Sequence, residues 1–123
     1  MLEQAVRARV LLSEKGISAA VINFPWLNRI DVEWLKKNIS PYKLIVTLDN
    51  HYTKLGQGDM IASALARVSR DRSALAKFSK HTQIISFGVE EIPVCGQNTE
   101  VLKYHKLDAD SLAQRTYENY IHI

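Results

Sequence analysis

The sequence predicts an α/β domain, a three-layer α/β/α sandwich around a mostly parallel sheet. Helix-like and strand-like periodicities alternate along the chain. The runs AAVINF, KLIVTLD and TQIISFG are apolar without strict alternation, as strands covered on both faces are. Each run is separated from the next by enough residues for a helical crossover, which makes neighbouring strands parallel. A chain of 123 residues holds one domain, taken as 1–123.

Leu2, Val6 and Val10, with Ala5 and Leu12 beside them, lie at the spacing of a helical stripe, and Gly16 marks where that helix stops in a left-handed conformation. Ala19 to Phe24 reads as the first strand, broken by Pro25. Asp31 caps a helix carrying Val32, Leu35 and Ile39, which Pro41 closes. Lys43 to Asp49 is the clearest strand and is expected at the centre of the sheet. A polar loop with Gly56 and Gly58 then leads to Asp59, read as the cap of a helix with Met60, Ala64 and Val68 on one side and Ile61 and Leu65 beside them. Asp71 to Phe78 reads as a short helical turn, Thr82 to Gly88 as the third strand, and Asn98 and Asp108 as the starts of helices holding Val101, Leu102 and Leu112. Three strands make a narrow sheet, and the first helix has no strand before it. The domain is therefore expected to lack its first strand.

Composition excludes several classes. With 46% hydrophobic and 24% charged residues the chain is neither disordered nor collagen-like nor a coiled coil. The net charge of +3 is spread along the sequence, and no aromatic residues interleave with a basic cluster, so nucleic acid is not expected as a partner. Trp26, Trp34, Tyr42 and Tyr52 are read as packing residues, and Tyr104, Tyr117 and Tyr120 as a half-buried subunit contact. Cys95 is the single cysteine, which excludes an intrachain disulfide and a cysteine-rich zinc site; it reads as a small buried apolar residue. No apolar run reaches the roughly 18 residues of a membrane span. Neither a membrane nor a secretory signal is indicated, so the expected location is the cytoplasm, where the sequon Asn38-Ile39-Ser40 has no meaning.

Ligands of open parallel sheets sit beyond the carboxyl ends of the strands, which directs attention to Asp49 through Asp59. Glycines entering a helix there bring backbone N–H groups to an anion at the positive end of the helix dipole. Gly56, Gly58 and Asp59 are accordingly the candidate small-anion site, set against an ordinary strand-to-helix turn, since the third glycine of a dinucleotide fingerprint is missing. His51 beside Asp49 has the composition of an acid–base pair, but no nucleophile completes it, and no catalytic residue is assigned. His81, His105 and His122 are too scattered for metal-ligand spacing, so no metal site is assigned either.

Taken together and in order, these segments resemble the C-terminal domain of the transketolase family, which recurs in deoxyxylulose phosphate synthase and the beta subunits of 2-oxoacid dehydrogenases. The residues that carry the resemblance are Glu14-Lys15-Gly16-Ile17-Ser18 with Ala20-Val21-Ile22-Asn23, the turn from Trp26 to Ile30 leading to Asp31, and Ile45-Val46-Thr47-Leu48-Asp49 with Asn50-His51. The glycine loop with its small-residue helix, Phe87-Gly88-Val89, and Tyr104 to Leu107 with Asp108 complete the set. The chain departs from the family in having Asp49 where a glutamate is usual and Gln57 within the glycine run. The family's domain opens with a strand ahead of the helix that matches Leu2 to Lys15.

The resemblance implies ketol transfer between sugar phosphates with thiamine diphosphate and magnesium, in homodimers whose active sites lie between two other domains. This chain would then be the structural or regulatory domain, inactive alone, holding none of the cofactor and partnered by the remaining domains or subunit. Two other readings stand beside it. One is a receiver-like signalling domain with Asp49 as phosphoacceptor, which lacks the further acidic residues that would hold magnesium. The other is a plain protein-binding dimerisation module.

Overall fold

The computed structural model describes residues 1–26, 28–69 and 82–123, with the side chains of Val68 and Ser69 left aside. The turn expected over Asp71 to Phe78 lies outside the described residues. Among the described residues seven elements follow one another: α1 (Leu2–Glu14), α2 (Val32–Ile39), β1 (Leu44–Tyr52), α3 (Gln57–Ser69), β2 (Gln83–Val89), α4 (Asn98–Tyr104) and α5 (Ala109–Tyr120). The architecture is α/β, as the sequence predicts, with helices on both faces of a small parallel sheet.

Local chemistry sets the helix ends. Gly16 takes a φ of +78°, the left-handed conformation that a side chain disfavours, two residues beyond the end of α1. The Asp31 carboxylate accepts from Trp34 N at 2.9 Å and caps α2. Gln97, one residue earlier than expected, is the cap of α4, where Glu100 reaches back to the Gln97 N–H at 3.2 Å. Asp108 caps α5 by accepting from Ser111 N at 3.2 Å. Burial pushes the Asp108 carboxyl up, but bonds from the Ser111 hydroxyl and from the backbone of Ser111, Asp108 and Asp110 outweigh it and hold the group below the ordinary value.

β1 and β2 pair in parallel from Leu44↔Gln83 to Leu48↔Phe87, and the register shifts before Tyr52↔Val89. Strand alternation sends Val46, Leu48, Ile85 and Phe87 to one face, where they meet Ala8 and Leu12 of α1 and Ala109, Leu112 and Ala113 of α5. Ile45 and Ile84 point the other way, onto Leu35 and Ile39 of α2 and Ile61 and Leu65 of α3. Each fully buried leucine or isoleucine contributes about 1.5–3 kcal/mol. The Arg115 guanidinium lies 3.9 Å from the Phe87 ring centroid, closing the first core with a cation–π contact.

Three sequence expectations change. Residues 19–24 form no strand: they run beside β1 without entering the sheet, whose strands among the described residues are β1 and β2. A strand exists only where its backbone finds a ladder partner, which periodicity cannot supply. In α1 the stripe Leu2, Val6 and Val10 is exposed, and Ala8 and Leu12 are the buried residues, because α5 and the sheet cover only that side. Cys95 is exposed rather than buried, sitting in the irregular segment between β2 and α4.

Candidate functional site

The segment leaving the carboxyl end of β1 closes on itself. Asp49, only 5% exposed, turns its carboxylate onto the start of α3, where Oδ1 accepts from Gln57 N at 3.2 Å and Oδ2 from Gly58 N at 3.4 Å. Asp59 lies inside the first turn of α3 rather than before it, and its Oδ2 accepts from Leu55 N at 2.6 Å. That bond steadies Leu55, which holds a φ of +61° with its side chain 93% exposed. Two carboxylates thus sit at the positive end of the α3 dipole, and the chain itself supplies negative charge there.

The glycines are required by close approach. A Cβ on Gly56 would run into the Asp49 carboxylate and come within 3.2 Å of the His51 ring. A Cβ on Gly58 would collide with Thr47 Oγ1 and Ser86 Oγ, which bond to each other at 2.9 Å across the sheet. The first turn of α3 therefore rests directly on a hydroxyl pair contributed by both strands. The sequence expectation for Gly56, Gly58 and Asp59 placed them together at a helix start, and the structure brings them together there. What it missed is the part played by Asp49, for which an acid at a strand end followed by glycines and a helix was the available signal.

His51 and Asp49 do not form an acid–base pair held by a hydrogen bond. His51 Nδ1 is 2.8 Å from the Tyr52 carbonyl and so must donate to it. In the neutral ring Nε2 then carries no proton, and it lies 3.6 Å from Asp49 Oδ1, beyond hydrogen-bond reach. Trp34 packs edge-on against Phe24, with centroids 5.6 Å apart, in keeping with a packing role. Tyr117 joins the core beneath Lys15 Nζ, 4.7 Å from its ring, while Tyr104 and Tyr120 stay exposed.

A second feature was invisible in the sequence. A cleft of about 720 Å³ runs between residues 18–24 on one side and residues 43–51 on the other. Ala5, Ala8 and Leu12 of α1 form one wall, and Leu35, Ile39 and Ile61 form the opposite wall.

Fold and loop together define a parallel α/β domain in which no group of three His, Cys, Asp or Glu side chains converges among the described residues. The model of the family described as "Transketolase, C-terminal domain" matches residues 1–112. The chain belongs to that family. It is 28% identical over 116 residues to a putative transketolase C-terminal section from Methanocaldococcus jannaschii, covering 94% of this chain and 33% of the relative. It is also 28% identical over 109 residues to one subunit of the apulose-4-phosphate transketolase from Actinobacillus succinogenes, covering 89% of this chain and 32% of the relative. The chain thus spans about a third of the length of the curated relatives it matches. No solved structure gives a significant match. No helix among the described residues is long and apolar enough to cross a membrane.

Thiamine diphosphate, which the family implies, needs acidic ligands for the magnesium on its diphosphate. The start of α3 does not offer them: the Asp59 carboxylate accepts from Leu55 N, and no acidic cluster stands beside it among the described residues.

Proposed function

We propose that residues 1–123 are one domain with a structural or regulatory role in a thiamine-diphosphate-dependent transketolase. It transfers nothing alone and works in the cytoplasm with the remaining domains or subunit of that enzyme, in an assembly with two copies of each part. The observation that carries this reading is the family match over 1–112 in a chain one third the length of its relatives. The names of those relatives, one a C-terminal section and the other a transketolase subunit, support a partner domain or subunit. A strand-end loop committed to its own carboxylates supports a non-catalytic role for this part.

The receiver-like reading has less support, because Asp49 is 5% exposed and both of its oxygens are bonded to the start of α3. The anion site at Gly56, Gly58 and Asp59 enters the proposal with a condition. An incoming anion competes with Asp49 for the same N–H groups, so it binds only when that carboxylate withdraws.

The test is reconstitution. The pure chain is assayed with thiamine diphosphate, magnesium and a ketose phosphate donor, with and without the remaining domains of the enzyme. The expected result is ketol transfer in the mixture and none from the chain by itself; turnover by the chain alone overturns the proposal.

A further inference from the structure

A smaller cavity of about 230 Å³ lies beyond the carboxyl end of β2, on the side where ligands of parallel sheets sit. Glu90 and Glu91 line it from the segment that leaves β2, Tyr104, His105 and Lys106 from the end of α4, and Arg115 from α5. Pockets for drug-sized molecules run to roughly 300–1,000 Å³, so an occupant here is small.

Three unfavourable features converge on this cavity. Lys106 holds a φ of +55°, a left-handed conformation that glycine takes with less strain, and so places a cation where glycine would place none. His105 Nε2 is enclosed and has no hydrogen-bond partner among the described residues. Arg115 is the third. Its guanidinium is fixed by the Phe87 ring, 3.9 Å from the centroid, and by one hydrogen bond donated from Nη1 to Lys106 O at 3.3 Å. Most of its N–H groups therefore lack an acceptor among the described residues. Its charge is met by Glu90 Oε1 alone, 3.7 Å from Nη2 and beyond hydrogen-bond reach. Lys106 Nζ and the Glu91 carboxylate are joined to nothing among the described residues. Two cations and two carboxylates thus line one cavity with a single loose pair between them.

We propose that this cavity binds a small dipolar molecule, a free α-amino acid, whose carboxylate takes the open edge of the Arg115 guanidinium beside Lys106 and whose ammonium group takes Glu90 and Glu91. One long contact is then replaced by charge-assisted hydrogen bonds at both ends of the ligand. Arg115, 26% exposed, is held ready, whereas Glu90, 63% exposed, has room to swing as the ligand enters. The exposed ring of Tyr104 meets the ligand's side chain. A dianion such as a phosphate ester suits the cavity less, because both glutamates oppose it with like charge. A divalent metal finds no group of three ligands among the described residues. The site stands on its own geometry and does not depend on the proposed function.

The probes are the common α-amino acids, added one at a time at about 10 mM to the isotope-labelled full chain, with amide resonances as the readout. The expected result is that at least one of them moves Glu90, Glu91, His105 and Lys106 saturably, with a Kd of about 1 mM or below, and leaves Gln57 and Gly58 in place. The methyl ester of that amino acid and its deaminated acid each lack one charge, and each binds about tenfold or more weakly. Arg115→Gln keeps a stem over Phe87 but loses the fork, and it weakens binding about tenfold or more. Glu90→Gln weakens it as well. Lys106→Gly relieves the positive φ and leaves the urea midpoint no lower, yet weakens binding about tenfold, a loss that a merely structural lysine does not produce.

Absence of a shift with every amino acid overturns the proposal. Equal binding of the deaminated acid, or tighter binding by Glu90→Gln, reveals a plain anion site and overturns it too; equal binding of the ester reveals a cation site and does the same. Lys106→Gly or Arg115→Gln chains that bind as the parent does place the ligand elsewhere, with the same consequence.

Discussion

Gly58→Ala tests the contact on which the strand-end loop is built. Gly58 sits in the first turn of α3 with an ordinary helical backbone, so the added methyl acts through space alone. It would collide with Thr47 Oγ1 and Ser86 Oγ and stand 3.0 Å from Ser86 Cβ, which belongs to a strand and has little room to retreat. Overpacking of this kind costs about 1–3 kcal/mol. Parting the hydroxyl pair adds about 1 kcal/mol, while the better helix propensity of alanine returns about 0.5–1 kcal/mol. The net loss is about 2 kcal/mol, which at a urea slope of about 1–3 kcal/mol per molar lowers the unfolding midpoint by roughly 0.7–2 M. Ser86→Ala removes one of the two colliding oxygens, so the double variant recovers about 1 kcal/mol relative to the sum of the singles. Urea unfolding followed by tryptophan fluorescence and circular dichroism measures both. A Gly58→Ala midpoint equal to the parent's, or strict additivity with Ser86→Ala, refutes the tight seating of α3 on the sheet.

Asp49→Ala leaves the Gln57 and Gly58 N–H groups without their acceptor and costs about 1–2 kcal/mol in urea unfolding. In that variant, and not in the parent, inorganic phosphate should raise the midpoint by binding the freed helix start; equal effects in both contradict the competition described above. Asp108→Ala removes the α5 cap at a cost of about 1 kcal/mol near neutrality. Because the folded-state value of Asp108 lies below the ordinary 3.8, its contribution is present above that value and lost as pH falls through the lower folded one, so parent and variant should converge in acid unfolding below pH 3.8. Leu35→Ala opens a cavity beneath α2 at a residue 2% exposed and should cost about 2–5 kcal/mol in the same assay.

Most of the element order was legible because it depends on local chemistry. Asp31 and Asp108 stand where a carboxylate can reach the N–H three residues on, and Gly16 stands where the chain needs a positive φ. KLIVTLD and TQIISFG are β-branched and apolar on both faces, and both became paired strands. The helix that carries Met60 was also readable, but its buried side, Ile61 and Leu65, lies round the helix from Met60, which is 36% exposed. Which stripe is covered depends on neighbours that periodicity does not name. The same holds for α1, where alanine at position 8 is buried and three larger residues are not.

By itself, then, the sequence determined the α/β class, the strand-to-helix loop and, through the order of its segments, the transketolase family. Those follow from propensity, capping and pattern, which are properties of near neighbours along the chain. Tertiary structure alone decided that residues 19–24 find no ladder partner, that Asp49 rather than Asp59 reaches the first N–H groups of α3, and that a cleft separates residues 18–24 from β1. Each of these depends on what distant segments bring within a few ångströms, and hydrogen bonds and steric contact are settled at that range.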